Sequence, residues 1–129
     1  MQLLAPGVPD VYQGTELWDR SLVDPDNRRR VDWFARAAAL DAVTKGARPE
    51  IDETGAAKLM VVTAALRLRR RAPERFDEYT PLEVTGPAAE HAIAFDRGGV
   101  VLVGTRLPIG LAEGGGWFDT RVHLPEGEW

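Results

Sequence analysis

The sequence predicts an α+β fold, with helices in the first half of the chain and an antiparallel β unit in the second. Between Val31 and Lys45, and again between Lys58 and Arg71, apolar side chains recur every three or four residues, as on one face of a helix. From Tyr79 onward, short runs of β-forming residues are separated by glycine and proline turns. Two helices followed by short antiparallel strands therefore account for most of the chain.

Length and composition are those of a globular protein with one compact domain, or a small domain with an appendage. Of the 129 residues, 44% are hydrophobic and 28% are charged, which is ordinary for a chain that buries a core. The net charge of −4 argues against a nucleic-acid binder. The absence of cysteine excludes disulfides and thiolate metal sites and favours a cytoplasmic protein. No apolar run is long enough to cross a membrane.

The first five residues, Met1 to Ala5, form an apolar run that the turn pair Pro6-Gly7 ends. Such a run predicts a short buried strand, which must pair with a neighbouring strand to be stable. It lacks the basic region and the long apolar stretch of a signal peptide. A polar loop extends from there to about Arg30.

The first helix is expected over residues 31–45. Asp32 is its predicted N-cap, because a carboxylate there can accept hydrogen bonds from the free amides of the first turn. Lys45 and Gly46 are typical of a last turn followed by a left-handed residue. A polar linker over residues 46–55 follows.

The second helix is expected over residues 58–71, and Pro73 ends it. Its last turns carry four cations that suit the negative end of the helix dipole: Arg67, Arg69, Arg70 and Arg71. They could bind phosphate or nucleic acid, but pairing with nearby carboxylates is the preferred interpretation in an acidic chain.

A β-hairpin is the clearest prediction in the second half. Residues 92–95 and 100–103 are apolar runs that flank Asp96-Arg97-Gly98-Gly99, a sequence typical of a tight hairpin turn. Further strands are expected at residues 82–84 and 117–124. A flexible glycine loop is expected at residues 114–116.

Several kinds of site are excluded or disfavoured by their residue patterns. Ser21 is the only serine, and its neighbours do not form the glycine-flanked elbow of a serine hydrolase. The acidic run from Asp24 has the wrong residues at the sixth and twelfth positions of a calcium loop. His91 and His123 give no zinc signature, and surface or hydrogen-bonded imidazoles are expected for both.

The loop between Asp10 and Asp32 has the strongest functional pattern. It holds six of the twenty acidic residues together with several arginines. These charges could simply pair with one another. They could also hold sugar hydroxyls, while Tyr12, Trp18 and Trp33 offer flat apolar faces for a pyranose ring. Composition leaves both interpretations open.

Two segments of this loop resemble a known family. "PGVPDVYQGTE" (residues 6–16) resembles the segment that follows the eighth strand of the catalytic barrel in the α-amylase superfamily. "LWDRSLVDPDNRR" (residues 17–29) is similar to one branch in particular, maltooligosyltrehalose synthase. Weaker similarity continues through "LRLRRRAPERF", "PLEVTG", "AFDRGG" and "LPEGEW", so it covers nearly the whole chain.

The resemblance implies a fold and a division of the chain. Residues 1–77 would be the end of an α-amylase-type (β/α)8 barrel, with its last strand, a substrate-side loop and helices. Residues 78–129 would be a C-terminal antiparallel β-sheet or sandwich domain, cut at its end. The chain would normally pack against the rest of the barrel or, alone, associate with itself.

The resemblance also implies an activity. The family isomerises maltooligosaccharide to maltooligosyltrehalose for trehalose biosynthesis by an intramolecular transglucosylation, with no organic cofactor or metal. Its mechanism resembles that of a retaining glycosidase, which needs two carboxyl groups ~5 Å apart. By the family's pattern those carboxylates lie upstream of Met1, so we assign no catalytic residue to this chain and expect it to be inactive alone.

The residues implied to bind substrate all lie in the same loop. They are Tyr12, Gln13, Glu16, Asp24, Asp26, Asn27, Arg28 and Arg29. Some of these are expected to be supports, and Glu16 and Arg20 in particular could pair with each other. The sequence departs from the family at Arg30, where a proline is usual and would fix the entry into the first helix.

Other functions stay open beside the synthase assignment. A carbohydrate-binding module would use the same aromatic rings and loop without chemistry, and a purely structural β module would bind no sugar. Within enzymes, the alternative is another α-glucan hydrolase or transglucosylase of the same superfamily.

Overall fold

The computed structural model describes residues 1–21 and 29–127, and the chain divides into two units. The helical unit is Val8–Arg71, and the β unit is Met1–Gly7 together with Ala72–Trp129. The helices of the first unit and the antiparallel sheets of the second confirm the α+β prediction. The barrel origin of the first 77 residues and the boundary at 77–78 stay predictions.

Helix α1 is Trp33–Thr44, within two residues of the predicted bounds. Asp32 caps it as expected, since its Oδ1 accepts from the Ala35 amide at 2.9 Å. At the other end the amide of Gly46, at φ 98°, donates to Val43, and the following amide donates one residue further back. These two bonds form a Schellman ending, which requires a left-handed residue.

Helix α2 is Ala56–Arg71 and begins two residues before the predicted start. The Thr54 hydroxyl accepts a hydrogen bond from the Ala56 amide, and the Gly55 carbonyl accepts one from the Leu59 amide. These two bonds satisfy amides in the first turn of the helix and so favour its earlier start. Leu59 and Ala65 are buried, and α2 packs on α1. The predicted end at Arg71 is confirmed.

Helix α1 contributes little to the interior. None of its residues is buried, and Phe34 at its start is 91% exposed, with Trp33 beside it also exposed. Only Arg36, Ala39 and Val43 of this helix are half-buried. The helix therefore presents apolar side chains to solvent.

The described part of the β unit contains five short strands in two antiparallel sheets: β1 Thr80–Pro81, β2 Val84–Thr85, β3 Ala92–Asp96, β4 Val101–Thr105 and β5 Arg121–Val122. The first sheet has the order β1-β3-β4, and the second pairs β2 with β5. In the first, Phe95 lies opposite both Pro81 and Leu102. Phe95 is 2% exposed and forms the centre of this unit's core.

The predicted hairpin is confirmed. Arg97 and Val100 exchange both main-chain hydrogen bonds, which leaves Gly98 and Gly99 as a two-residue loop. Both glycines have positive φ, 56° and 82°, as a type I′ turn requires. A Cβ on Gly98 would also lie 2.8 Å from the Arg75 carbonyl oxygen, so only glycine fits there.

The strand predicted for Met1 to Ala5 is wrong. These residues form a turn, in which the amides of Leu4 and Ala5 both donate to the Met1 carbonyl. No described strand pairs with the segment, so its main-chain groups bond locally instead. Its apolar character still has a use, because Leu3 is buried in the β unit.

A buried arginine attaches this turn to the β unit. Arg97 is 3% exposed, and its guanidinium donates to the carbonyls of Leu4, at 2.7 Å, and Glu78. Its Cζ lies 5.8 Å from the centroid of the buried Phe76 ring. Carbonyl oxygens and an aromatic face thus compensate the burial of this cation.

Between residues 107 and 124 one helix was not predicted, and one predicted strand needs correction. A short helix, α3 at Pro108–Glu113, precedes the predicted glycine loop; Pro108 suits a first helical position, and Leu111 is buried. The strand expected over 117–124 is reduced to β5, because the Thr120 amide donates to Trp117 and closes a turn. The apolar residues of that turn resemble a strand in sequence, but they do not pair with any described strand.

No helix in the described ranges is long and apolar enough to span a membrane.

Candidate functional site

The helical unit contains a cleft of about 660 Å³. Among the described residues, the loop before α1 supplies most of its lining, and the first turn of α1 supplies the rest. Its described lining is Tyr12, Gln13, Gly14, Thr15, Trp18, Asp19, Ser21, Arg29, Arg30, Val31, Asp32 and Arg36. The cleft therefore lies in the segment that the sequence singled out.

A tight turn places Tyr12 and Gln13 on the rim. Both the amide and the hydroxyl of Thr15 donate to the Tyr12 carbonyl, at 3.3 and 2.7 Å. Gly14 completes the turn with φ 93°, and a Cβ there would lie 2.7 Å from a methyl group of Val31. Only glycine satisfies both conditions. The Tyr12 side chain is left exposed and available to a ligand.

Glu16 and Arg36 hold this turn against α1. One carboxylate oxygen of Glu16 accepts from the Gly14 amide at 3.1 Å, and the other accepts from Arg36 Nε at 3.3 Å. Arg36 also donates to the carbonyls of Gly14 and Asp32. The Arg36 and Glu16 side chains are only 16% and 27% exposed, so the pair is partly shielded from water.

The predicted substrate-binding residues therefore divide into three groups. Tyr12, Gln13 and Arg29 lie together in the cleft lining. Glu16 is not among the described lining residues, and its partner is Arg36 rather than the expected Arg20. The other four predicted residues lie outside the described residues: Asp24, Asp26, Asn27 and Arg28.

Sequence reasoning did not include Trp18 in the predicted set, although it noted the ring as a possible sugar contact. The structure holds Trp18 in the cleft wall through the linker that precedes α2: its Nε1 donates to the Asp52 carbonyl at 2.8 Å. Lys58 of α2 donates a hydrogen bond to the Leu17 carbonyl, and its ammonium group lies over the Trp18 ring. Nothing local in the sequence indicates these partners, which lie 34 and 41 positions away from the residues they bond.

Two aspartates in this unit have lowered pKa values. The main-chain and side-chain hydrogen bonds of Ser21 lower the pKa of Asp19, whose Oδ1 accepts from the Ser21 amide at 2.9 Å. The hydroxyl and amide of Thr54 lower the pKa of Asp52. Asp19 is therefore an ionised hydrogen-bond acceptor at the cleft near neutral pH.

Trp33 and the two histidines, His91 and His123, are not among the described lining residues of the cleft. Trp33 lies at the start of α1. His123 is hydrogen-bonded as expected, with Nε2 2.8 Å from the Thr85 hydroxyl. His91 is largely buried, and its Nε2 lies 3.8 Å from the Glu90 carboxylate. Its Nδ1 has no hydrogen-bond partner among the residues that the structure describes. The described residues contain no group of three or more potential metal ligands.

The described lining of the cleft carries several kinds of group that can bind a ligand. It combines two aromatic rings, carboxylate and guanidinium groups, an amide and hydroxyls. Such a lining can hold a ligand that has both apolar faces and many hydroxyl groups.

Comparisons with known proteins show similarity in both sequence and fold. The maltooligosyltrehalose synthase of Arthrobacter ramosus has the same fold over most of this chain. A structure of its point mutant matches 97% of the chain with 62% identity and a TM-score of 0.93, and another structure of this enzyme matches 94% with 63% identity and 0.90. Each match covers 16% of the larger chain.

Curated sequences agree with these structures. In Mycobacterium tuberculosis, proteins of two strains provisionally named maltooligosyl trehalose synthase are 48% identical over an alignment of 132 residues that covers 100% of this chain. The chain spans 16% of the length of these relatives. No protein-family model matches the chain.

Proposed function

Because the chain is related over its whole length to maltooligosyltrehalose synthases, we propose that it supplies part of the substrate-binding surface of such an enzyme. The enzyme converts maltooligosaccharide to maltooligosyltrehalose in trehalose biosynthesis, in the cytoplasm and without a cofactor. The observation that carries the proposal is the 62% identity and TM-score of 0.93 over 97% of the chain.

In this proposal the chain binds and does not catalyse. A retaining-type transfer needs a nucleophile and an acid/base carboxyl ~5 Å apart across one glycosidic bond. We assign both to the remainder of the enzyme, in the barrel of the α-amylase superfamily. The released glucose, held in place, attacks the glycosyl-enzyme through its anomeric hydroxyl.

We assign the residues in and around the cleft different roles in binding the substrate. Tyr12, Gln13 and Arg29 contact the sugar directly, as an aromatic face, an amide and a guanidinium that can hold neighbouring hydroxyls. Glu16 supports them, because both its oxygens already accept hydrogen bonds within the turn. The remaining proposed contacts in the same loop are Asp24, Asp26, Asn27 and Arg28.

The exposed apolar residues of α1 have a proposed partner. Trp33, Phe34 and Leu40 are all exposed on this helix and would gain from burial. We assign them to the interface with the rest of the barrel, or with a second copy when the chain is alone. Sedimentation equilibrium of the 129-residue chain should show association, and a monodisperse monomer would contradict this assignment.

A carbohydrate-binding module is the second candidate. It is favoured by one observation: the described lining of the cleft comes entirely from the helical unit. A non-catalytic module would bind maltodextrin in the same cleft without a role in isomerisation.

A chimaera tests the synthase proposal. The matching segment of the Arthrobacter ramosus synthase is replaced by this chain, and formation of a non-reducing product from maltohexaose is measured. We expect activity within about tenfold of the parent, because close homologues keep the same packing. The control is the parent enzyme without the segment, which should be inactive. A chimaera that folds, as judged by circular dichroism, but forms no such product would refute the proposal.

A further inference from the structure

The Trp18 ring is held in a fixed place by the segment before α2. Its indole nitrogen donates to the main-chain carbonyl of Asp52 at 2.8 Å. The carboxylate of the same residue accepts from the amide and hydroxyl of Thr54, which fixes the turn that carries this carbonyl. The ring is therefore anchored to an ordered turn rather than to a mobile side chain.

Lys58 secures the ring from a second direction. Its ammonium group donates to the Leu17 carbonyl at 3.0 Å and lies over the Trp18 ring, 5.4 Å from the centroid. One face of the indole is thus covered by a cation, an arrangement that is favourable in itself. The hydrogen bond also fixes the main chain immediately before the tryptophan.

Gly55 makes the close approach possible. It has φ 76°, and a Cβ there would lie 2.6 Å from the main-chain nitrogen of Trp18 and 3.1 Å from two atoms of its ring. A larger residue would push the tryptophan away from its anchor. The end of the linker over residues 46–55 and the start of α2 therefore form a bracket for the ring, made of Asp52, Gly55 and Lys58.

A bracketed ring of this kind is well suited to contact a sugar. Trp18 is still 47% exposed and belongs to the cleft lining. The next residue, Asp19, and Ser21 add a carboxylate and a hydroxyl to the same lining. A pyranose presents CH groups on one face and hydroxyls around its edge, so it can meet a fixed aromatic face and polar acceptors together.

We infer that Trp18 is a stacking surface for a glucose unit of an α-glucan, and that Lys58 is the residue that positions it. The inference rests on the proposed function for the class of ligand. Because the indole is already ordered, stacking costs little side-chain entropy, which is the usual penalty for binding through an exposed ring. Core packing alone would have buried the ring instead of leaving half of it in a cleft.

Binding of maltoheptaose to the 129-residue chain tests the inference, with calorimetry and tryptophan emission as readouts. Trp18→Ala should weaken binding about tenfold, whereas Trp18→Phe keeps a flat ring and should lose about threefold. Lys58→Met should also lose about threefold, and Lys58→Arg should recover binding because it restores a donor and a cation. Trp117→Ala, in the β unit, is the control and should leave binding within about twofold.

Thermal unfolding of each variant separates binding from folding. Support requires that Trp18→Phe and Lys58→Met keep the thermal midpoint of the unmodified chain and still bind more weakly. If the chain binds maltoheptaose and these two variants bind equally well, the inference fails while the proposed function stands. Absence of maltoheptaose binding by the unmodified chain also overturns the inference. The chimaera then decides the proposed function separately.

Discussion

The two units of this chain are stabilised by different interactions. The β unit buries Phe95, Leu102 and Phe76, and its buried cation, Arg97, is surrounded by carbonyl oxygens and a ring. The helical unit buries little, and its α1 has no buried residue. Its cleft is held by side chains that bond to distant main-chain groups, such as Arg36 to the Gly14 carbonyl.

Loss of burial and loss of a hydrogen bond affect a folded unit in different ways. Burial is non-directional, so its loss mainly lowers the free energy of unfolding. Hydrogen bonds are directional, so their loss changes where a loop lies even when the unit stays folded. We therefore expect substitutions in the β unit to act on stability and substitutions around the cleft to act on the position of binding groups.

The largest effect is expected from Phe95→Ala in the β unit. Phe95 is 2% exposed, and the centroid of its ring lies 5.2 Å from that of the Tyr79 ring. Removal of the ring leaves a cavity at the centre of the core. The free energy of unfolding should fall by about 3–5 kcal/mol in urea denaturation. Val103→Ala, on an exposed position of β4, should cost less than about 1 kcal/mol. Equal losses in the two variants would contradict a core centred on Phe95.

Arg97→Met should have the next largest effect. It leaves the carbonyls of Leu4 and Glu78 without this donor in a buried place, which should cost about 1–3 kcal/mol. Amide exchange in the turn of residues 1–5 should become faster. Arg75→Met is the matched control, because this exposed arginine also donates to main-chain carbonyls, those of the hairpin loop. If exchange in the turn is unchanged by Arg97→Met, the arginine does not attach it.

In the helical unit, the Arg36–Glu16 ion pair is expected to contribute a moderate coupling energy. A double-mutant cycle with Arg36→Gln and Glu16→Gln should give a coupling of about 0.5–1 kcal/mol, since the pair is only partly exposed. The control pair Lys45–Asp41 lies on the surface of α1 and should give a coupling near zero despite its 2.6 Å distance. Similar couplings in the two cycles would remove the special role of the Glu16 contact.

The smallest effect is expected in the pH dependence of stability. Hydrogen bonds from Thr54 hold the pKa of Asp52 below its ordinary value of 3.8 in the folded chain. The ionised carboxylate therefore adds stability above pH 3.8, and this contribution is lost as the pH falls through the folded-state pKa.

The pH dependence can be measured by urea denaturation at several pH values. Asp52→Asn should lower the midpoint at pH 7 and have a smaller effect at a pH well below 3.8. Thr54→Val removes the hydroxyl donor and keeps the carboxylate, so it should weaken the same pH dependence. A midpoint difference that stays constant with pH would show that the carboxylate charge is not involved.

Much of the fold could be predicted because it depends on neighbouring residues. The Asp32 cap, the glycine ending of α1 and the two-glycine hairpin turn each need only a few adjacent residues in a suitable conformation. The turns at residues 1–5 and 117–120, where strands were expected, differ from the prediction for another reason. An apolar run forms a strand only where it meets a partner, and the local sequence does not specify one.

The candidate site was located by sequence but arranged by tertiary contacts. The charge pattern and the family resemblance selected the loop before α1, and Tyr12, Gln13 and Arg29 do share its cleft. The attachment of Glu16 to Arg36 and of Trp18 to Asp52 joins residues 20 and 34 positions apart. Backbone preferences are set over a few residues, whereas such contacts exist only after α1, α2 and the loop have packed. The tertiary structure therefore determines which polar groups line the cleft and which hold its wall in place.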